Sequence, residues 1–129
     1  MKGTIISQDN GKYLIVGQGG GITGKVQQYK ITCNGEVLKG SGLIEINYSQ
    51  SSDIGKKKAK KYFKRIKAVQ TTPFKHPGNM YYFIEFFDEG EETKYTWGSN
   101  DFSTPEELKS LYKEIWGKIS ALEYKAIKN

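Results

Sequence analysis

Cysteine is nearly absent from this chain: Cys33 stands alone among 129 residues. One thiol cannot close an internal disulfide, so no bridged framework is expected and nothing points to maturation in an oxidising compartment. Histidine is equally scarce, and His76 with Cys33 cannot build a multi-histidine zinc site or a cysteine-rich cluster within one chain. No window approaches the roughly 20 apolar residues of a membrane span. The first apolar run, Ile5-Ile6, is too short for the core of a signal peptide, so the chain reads as soluble and cytoplasmic. Neither an internal repeat nor a long linker interrupts it, and its length suits one core, a single domain over 1–129.

What the chain has in quantity is aromatic surface and lysine. Nine Tyr, six Phe and two Trp are far more ring surface than a solvated tail carries. The net charge is +6, yet eight of the 20 basic side chains fall between Lys56 and Lys67 with no acid among them. The other 12 basic and 14 acidic side chains leave −2, so the protein is near neutral with one basic segment.

The spacing of apolar residues predicts an α+β domain: an antiparallel β-sheet of four to six strands with two helices, the long C-terminal helix packed on one face. Thr4–Ser7 and Tyr13–Gly17 flank Asp9-Asn10-Gly11-Lys12 and read as an opening hairpin. Val26–Cys33 alternates, with Tyr29, Ile31 and Cys33 on one face. Asn34-Gly35 supplies a two-residue turn and Glu36–Lys39 a return strand. Leu43–Tyr48 reads as a further strand, and polar Gln50–Asp53 offers Ser52 or Asp53 as a helix cap. Over 53–69, Ala59, Tyr62, Phe63 and Ile66 recur at helical spacing, and nearly all of the other face is lysine. Met80–Phe87 and Thr93–Gly98 form an aromatic hairpin across an acidic turn. Thr104-Pro105-Glu106-Glu107 then opens a helix, with a hydroxyl cap and a capping box, that is expected to run to about residue 126. Its stripe of Leu111, Ile115 and Ile119 should meet Ile84 and Phe86 in the core. Trp97 and Trp116 are either partial core or exposed anchors.

Two nucleotide-type motifs occur and fail on chemistry. Gly19 to Lys25 fits G-x-x-x-x-G-K, and Gly19, Gly21 and Gly24 fit G-x-G-x-x-G. A phosphate loop needs Ser or Thr after the lysine for magnesium, where this chain has Val26. Both motifs need a helix next, where this chain reads as strand. A glycine turn or bulge, with room for a binding loop, is the simpler reading. Cys33 reads as a small buried hydrophobe on its strand, His76 as a solvated turn residue, and the Glu85 to Glu92 acids as a solvated hairpin that lacks calcium-loop spacing. No catalytic residue, metal ligand or cofactor site is assigned. The basic helix has two readings. Its lysines keep an exposed face soluble and attract the acidic hairpin, or Lys57, Lys60, Lys61, Lys64 and Arg65 bind nucleic acid or an anionic surface weakly and without sequence preference.

Taken in order, Gly20-Gly21-Ile22-Thr23-Gly24 after a short strand, a middle helix, the Tyr81–Trp97 hairpin and Pro105-Glu106-Glu107-Leu108 opening the last helix resemble the emfourin-type small bacterial proteins. Those proteins inhibit thermolysin-like metallopeptidases. The chain departs from their pattern in its basic middle helix and its longer region between Glu36 and Ser52, and no inhibitory contact carries over residue by residue. The resemblance implies a non-catalytic module that binds another protein. The candidate contact residues are Gly19, Gly20, Gly21, Ile22, Thr23 and Gly24, together with the hairpin tips.

Overall fold

A computed structural model of the chain describes residues 11–127; the expected strand Thr4–Ser7 lies outside them. Seven strands form one sheet: β1 (Lys12–Gly20), β2 (Val26–Thr32), β3 (Glu36–Gly42), β4 (Asn47–Asp53), β5 (Met80–Asp88), β6 (Glu91–Trp97) and β7 (Lys125–Ala126). Their order is β6-β5-β1-β2-β3-β4-β7, and every pairing between them is antiparallel. Helices α1 (Lys56–Lys67) and α2 (Glu106–Ser120) share one core cluster with the same face of the sheet. This is the α+β fold that the periodicities predict, with slightly more strands than expected.

Three cross-strand rows explain where the core sits. The lowest runs Phe86, Leu14, Ile31, Val37 and the middle one Tyr95, Ile84, Val16, Tyr29, Lys39. The top row begins with Trp97 and Tyr82 and continues as Gln18, Gln27 and Ser41. Apolar side chains thus fill the lower rows and one upper corner, and polar ones occupy the other. The amphipathic stripes land on the apolar part. Ala59, Tyr62, Phe63 and Ile66 of α1 are buried, as are Leu108, Leu111, Tyr112, Ile115 and Ile119 of α2. Each large side chain so removed from water contributes about 2 kcal/mol. Trp97 joins the core, its ring edge-on to Tyr112, whereas Trp116 is half-buried against Tyr112 and Tyr29.

Several element boundaries differ from expectation for identifiable reasons. Thr32 O accepts from Gly35 N at 3.0 Å, so Cys33 and Asn34 are the central turn residues. Gly35 has φ +93°, and Cys33 is half-buried at a turn instead of on a strand face. Residues 43–46 form the β3–β4 turn, so the strand expected at Leu43–Tyr48 starts at Asn47 and takes in the polar segment Gln50–Asp53 that was expected to supply a helix cap. The cap of α1 is Gly55, whose N–H donates to the Asp53 carboxylate at 2.6 Å. Neither Ser52 nor Asp53 caps the helix itself. For α2 the cap is Pro105, whose carbonyl accepts from Leu108 N, and no side chain caps it. The Thr104 capping box does not form. The helix stops at Ser120, not near residue 126, because the chain reverses to lay β7 along β4 while Tyr124 Oη donates to the freed Ile119 carbonyl at 2.7 Å.

Candidate functional site

The two ends of the sheet differ in what they present. At the upper end β1 passes to β2, β3 passes to β4, and β5 begins. Ile22 and Ile44 are completely exposed there, Leu43 largely so, and Met80 partly. These are four of the five large apolar side chains that the described residues expose. Monomers expose single apolar residues routinely, but four on neighbouring tips make a patch. Thr23 and Lys25 from one tip, with Leu43, Ile44 and Glu45 from the other, line a shallow cleft of about 680 Å³.

The glycine segment divides between scaffold and tip. Gly19 and Gly20 are the last residues of β1, not a loop. Gly20 has φ +98°, and a side chain there would run into the Asn79 carbonyl, which itself accepts from Gly21 N at 2.9 Å. Packing therefore excludes a side chain at Gly20, and one at Gly19 would press on the end of the Tyr81 ring. The tip proper is Gly21-Ile22-Thr23-Gly24, and the Thr23 hydroxyl oxygen accepts from Lys25 N at 3.2 Å. Ile22 is the one member of the predicted set with an apolar side chain to offer. Leu43 and Ile44 were missed because alternation placed them in a strand, and Met80 because it opens the aromatic strand β5. The adjacent apolar pair Leu43-Ile44 directly after Gly40-Ser41-Gly42 was the available signal.

The basic helix keeps most of its predicted character. Lys57, Lys60, Lys61 and Lys64 line one groove of about 460 Å³ with Ile54, and no ion pair engages them among the described residues. Arg65 is committed elsewhere, to the Glu114 carboxylate at 2.7 Å. That hydrogen bond holds the Glu114 carboxyl below its usual range. Lys67 reaches Asp88 beside the acidic hairpin at 3.4 Å, the attraction expected from the charge pattern.

Cys33 and His76 are separated by the fold. The first sits at the lower end between β2 and β3, the second on the loop that follows α1 and runs beside β6, where its N–H donates to Thr96 O at 2.8 Å. His76 is more than a solvated turn residue, because its ring stacks on Phe102 at 4.0 Å between centroids. Among the described residues no three His, Cys, Asp or Glu side chains are grouped to hold a metal ion. One acid is strongly perturbed: burial, reinforced by the neighbouring Glu92, pushes the Glu85 carboxyl up to about 7, against the pull of Lys94 at 3.9 Å. It faces away from the helices. No described helix is long and apolar enough to cross a membrane.

No family model matches the chain, and none of the curated proteins matches it either.

Proposed function

We propose that the chain is a non-catalytic binding module that seats its upper hairpin tips in a groove of another protein. The observation that carries this reading is the gathering of Ile22, Leu43, Ile44 and Met80 at one end of the sheet. Apolar anchors projecting from a rigid scaffold suit interface centres: each contributes about 1.5–3 kcal/mol when buried, and the scaffold limits the entropy lost on binding. The emfourin-like motif order makes the cleft of a thermolysin-like metallopeptidase the first groove to try. Inhibition of such an enzyme should fall at least roughly 100-fold for the pair Ile22→Asp and Ile44→Asp, about 2.7 kcal/mol. Thermal stability should barely change, because both residues are exposed. Absence of inhibition, and of any captured protein from the native host, would remove the reading. Small-molecule turnover lost in Cys33→Ala would replace it with an enzyme.

The shared groove of Lys57, Lys60, Lys61 and Lys64 supports a second reading, weak binding of nucleic acid or another polyanion. Four phosphate contacts to duplex DNA give a slope near −3.6 for log affinity against log salt, or roughly 150-fold over a fourfold rise in salt. Retention on DNA at about 50 mM salt that vanishes in Lys60→Glu with Lys64→Glu supports it, and no retention at that salt ends it.

A further inference from the structure

The polar corner of the helix-side face is the feature the tips leave unexplained. Periodicity puts Gln18 on the same face of β1 as Leu14 and Val16, and Gln27 on the same face of β2 as Tyr29 and Ile31. By alternation these positions share the side of the sheet that carries the core, yet they hold carboxamides, Gln18 half-buried and Gln27 exposed. The register aligns Gln18 with Gln27 and Gln27 with Ser41, and it aligns Tyr29 with Lys39 and Lys39 with Gln50. Four strands thereby contribute to one floor. Above it, Trp116 and Ser120 of α2 form a wall, enclosing a cleft of about 430 Å³. That volume lies within the roughly 300–1,000 Å³ of small-ligand sites.

The lining chemistry selects a ligand class. Carboxamides and hydroxyls each donate and accept, which matches a ligand hydroxyl, itself both donor and acceptor. Among the described residues no hydrogen bond within the protein occupies the side chains of Gln18, Gln27, Ser41, Gln50 or Ser120. Gln28 differs: it reaches the cleft from the opposite face and is tied to Tyr48 Oη at 2.6 Å. No carboxylate lines the cleft, so a cation has no partner in it. Lys39 is its only charged residue, and its ammonium lies 5.4 Å from the centre of the Tyr124 ring, too few cations for a polyphosphate. The polar floor does not suit an acyl chain. A half-buried indole beside convergent amides and hydroxyls suits a sugar ring, whose C–H face packs on the aromatic while its hydroxyls meet the polar groups.

We infer that this cleft between α2 and strands β1 to β4 is a binding site for a neutral saccharide, separate from the tips that would meet a protein. The test is NMR of the isotopically labelled full chain with maltotriose, cellotriose and N,N′-diacetylchitobiose. Each is added at about 10 mM, ten times the ~1 mM dissociation constant expected of a shallow site. At least one should shift the side-chain amide signals of Gln18, Gln27 and Gln50 and the Trp116 indole signal. Gln27→Ala and Gln50→Ala should each weaken that sugar at least about fivefold, in line with a lost hydrogen bond. Circular dichroism confirms that both variants fold. Three outcomes overturn the inference: no shift with any of the sugars, shifts confined to the tips, or affinity unchanged in both folded variants.

Discussion

The upper and lower ends of the sheet are built from the same device, tight turns between antiparallel strands, and finish them in opposite chemistry. At the lower end the turn residues are polar and absorbed by the protein's own contacts. Gly35 lies against Gly55, the Ile54 N–H donates to the Gly35 carbonyl at 2.8 Å, Glu89 N donates to Gly11 O, and Lys67 pairs with Asp88. At the upper end the side chains of Ile22, Leu43 and Ile44 are exposed to solvent. Turns need no apolar side chains, and exposing them gains nothing for the isolated fold. The lower end is therefore explained by folding alone, and the upper end is not.

Glycine substitutions give the largest separation between the ends. A side chain at Gly35 would collide with the Gly55 carbonyl at a backbone φ of +93°, so Gly35→Ala should cost about 3–5 kcal/mol, combining strain with overpacking. Gly24 also has a positive φ, +72°, but open space around it, so Gly24→Ala should cost only about 1 kcal/mol. Urea unfolding of both variants measures the difference. Equal costs would mean that the lower turn is not held as described.

Much of this fold was legible in the sequence, and the failures have physical causes. The α1 and α2 stripes were clear because each buries a face at the helical period, and that period survives whatever surrounds it. β4 was hidden because Asn47–Asp53 contains one aromatic among polar residues, so no alternation marks a buried face. β7 and the early end of α2 depend on pairing with β4 across the whole chain, which local propensity does not report. For the site, Ile22 came from a motif, while Leu43 and Ile44 were lost when a turn was read as a strand. The polar cleft was invisible for another reason: Gln18, Gln27 and Ser41 are unremarkable until strand register places them in one row.

The next effect concerns the acid beside the lower hairpin. Glu85 is only 14% exposed, and its carboxyl is pushed up to about 7, first by burial and then by Glu92. Between its ordinary value of 4.5 and about 7 the folded chain keeps this proton while the unfolded chain releases it. Stability therefore falls as pH rises through that window and stays at the lower value above it. Glu85→Gln should remove that decline, raising stability at pH 8 by roughly 2–3 kcal/mol and changing it little at pH 4. Thermal unfolding across that range checks it. A variant with an unchanged pH profile would show that the carboxyl is ionised in the folded protein at neutral pH.

The smallest effect tests whether charge or packing settles the lower end. Lys67 and Asp88 are 3.4 Å apart, and their side chains are 55% and 23% exposed, so water and salt screen the pair. Asp88→Asn should cost no more than about 0.5 kcal/mol, and the difference from the native protein should vanish in ~1 M salt. Lys67→Met should cost slightly more, because Lys67 lies in the last turn of α1 and also opposes the negative end of the helix dipole. In a double-mutant cycle the coupling between the two sites should be near 0.3 kcal/mol. A coupling above about 1 kcal/mol would exceed what an exposed pair supplies. It would mean that the lower end is held by its charges, and the contrast with the apolar tips would then be one of electrostatics as well as burial.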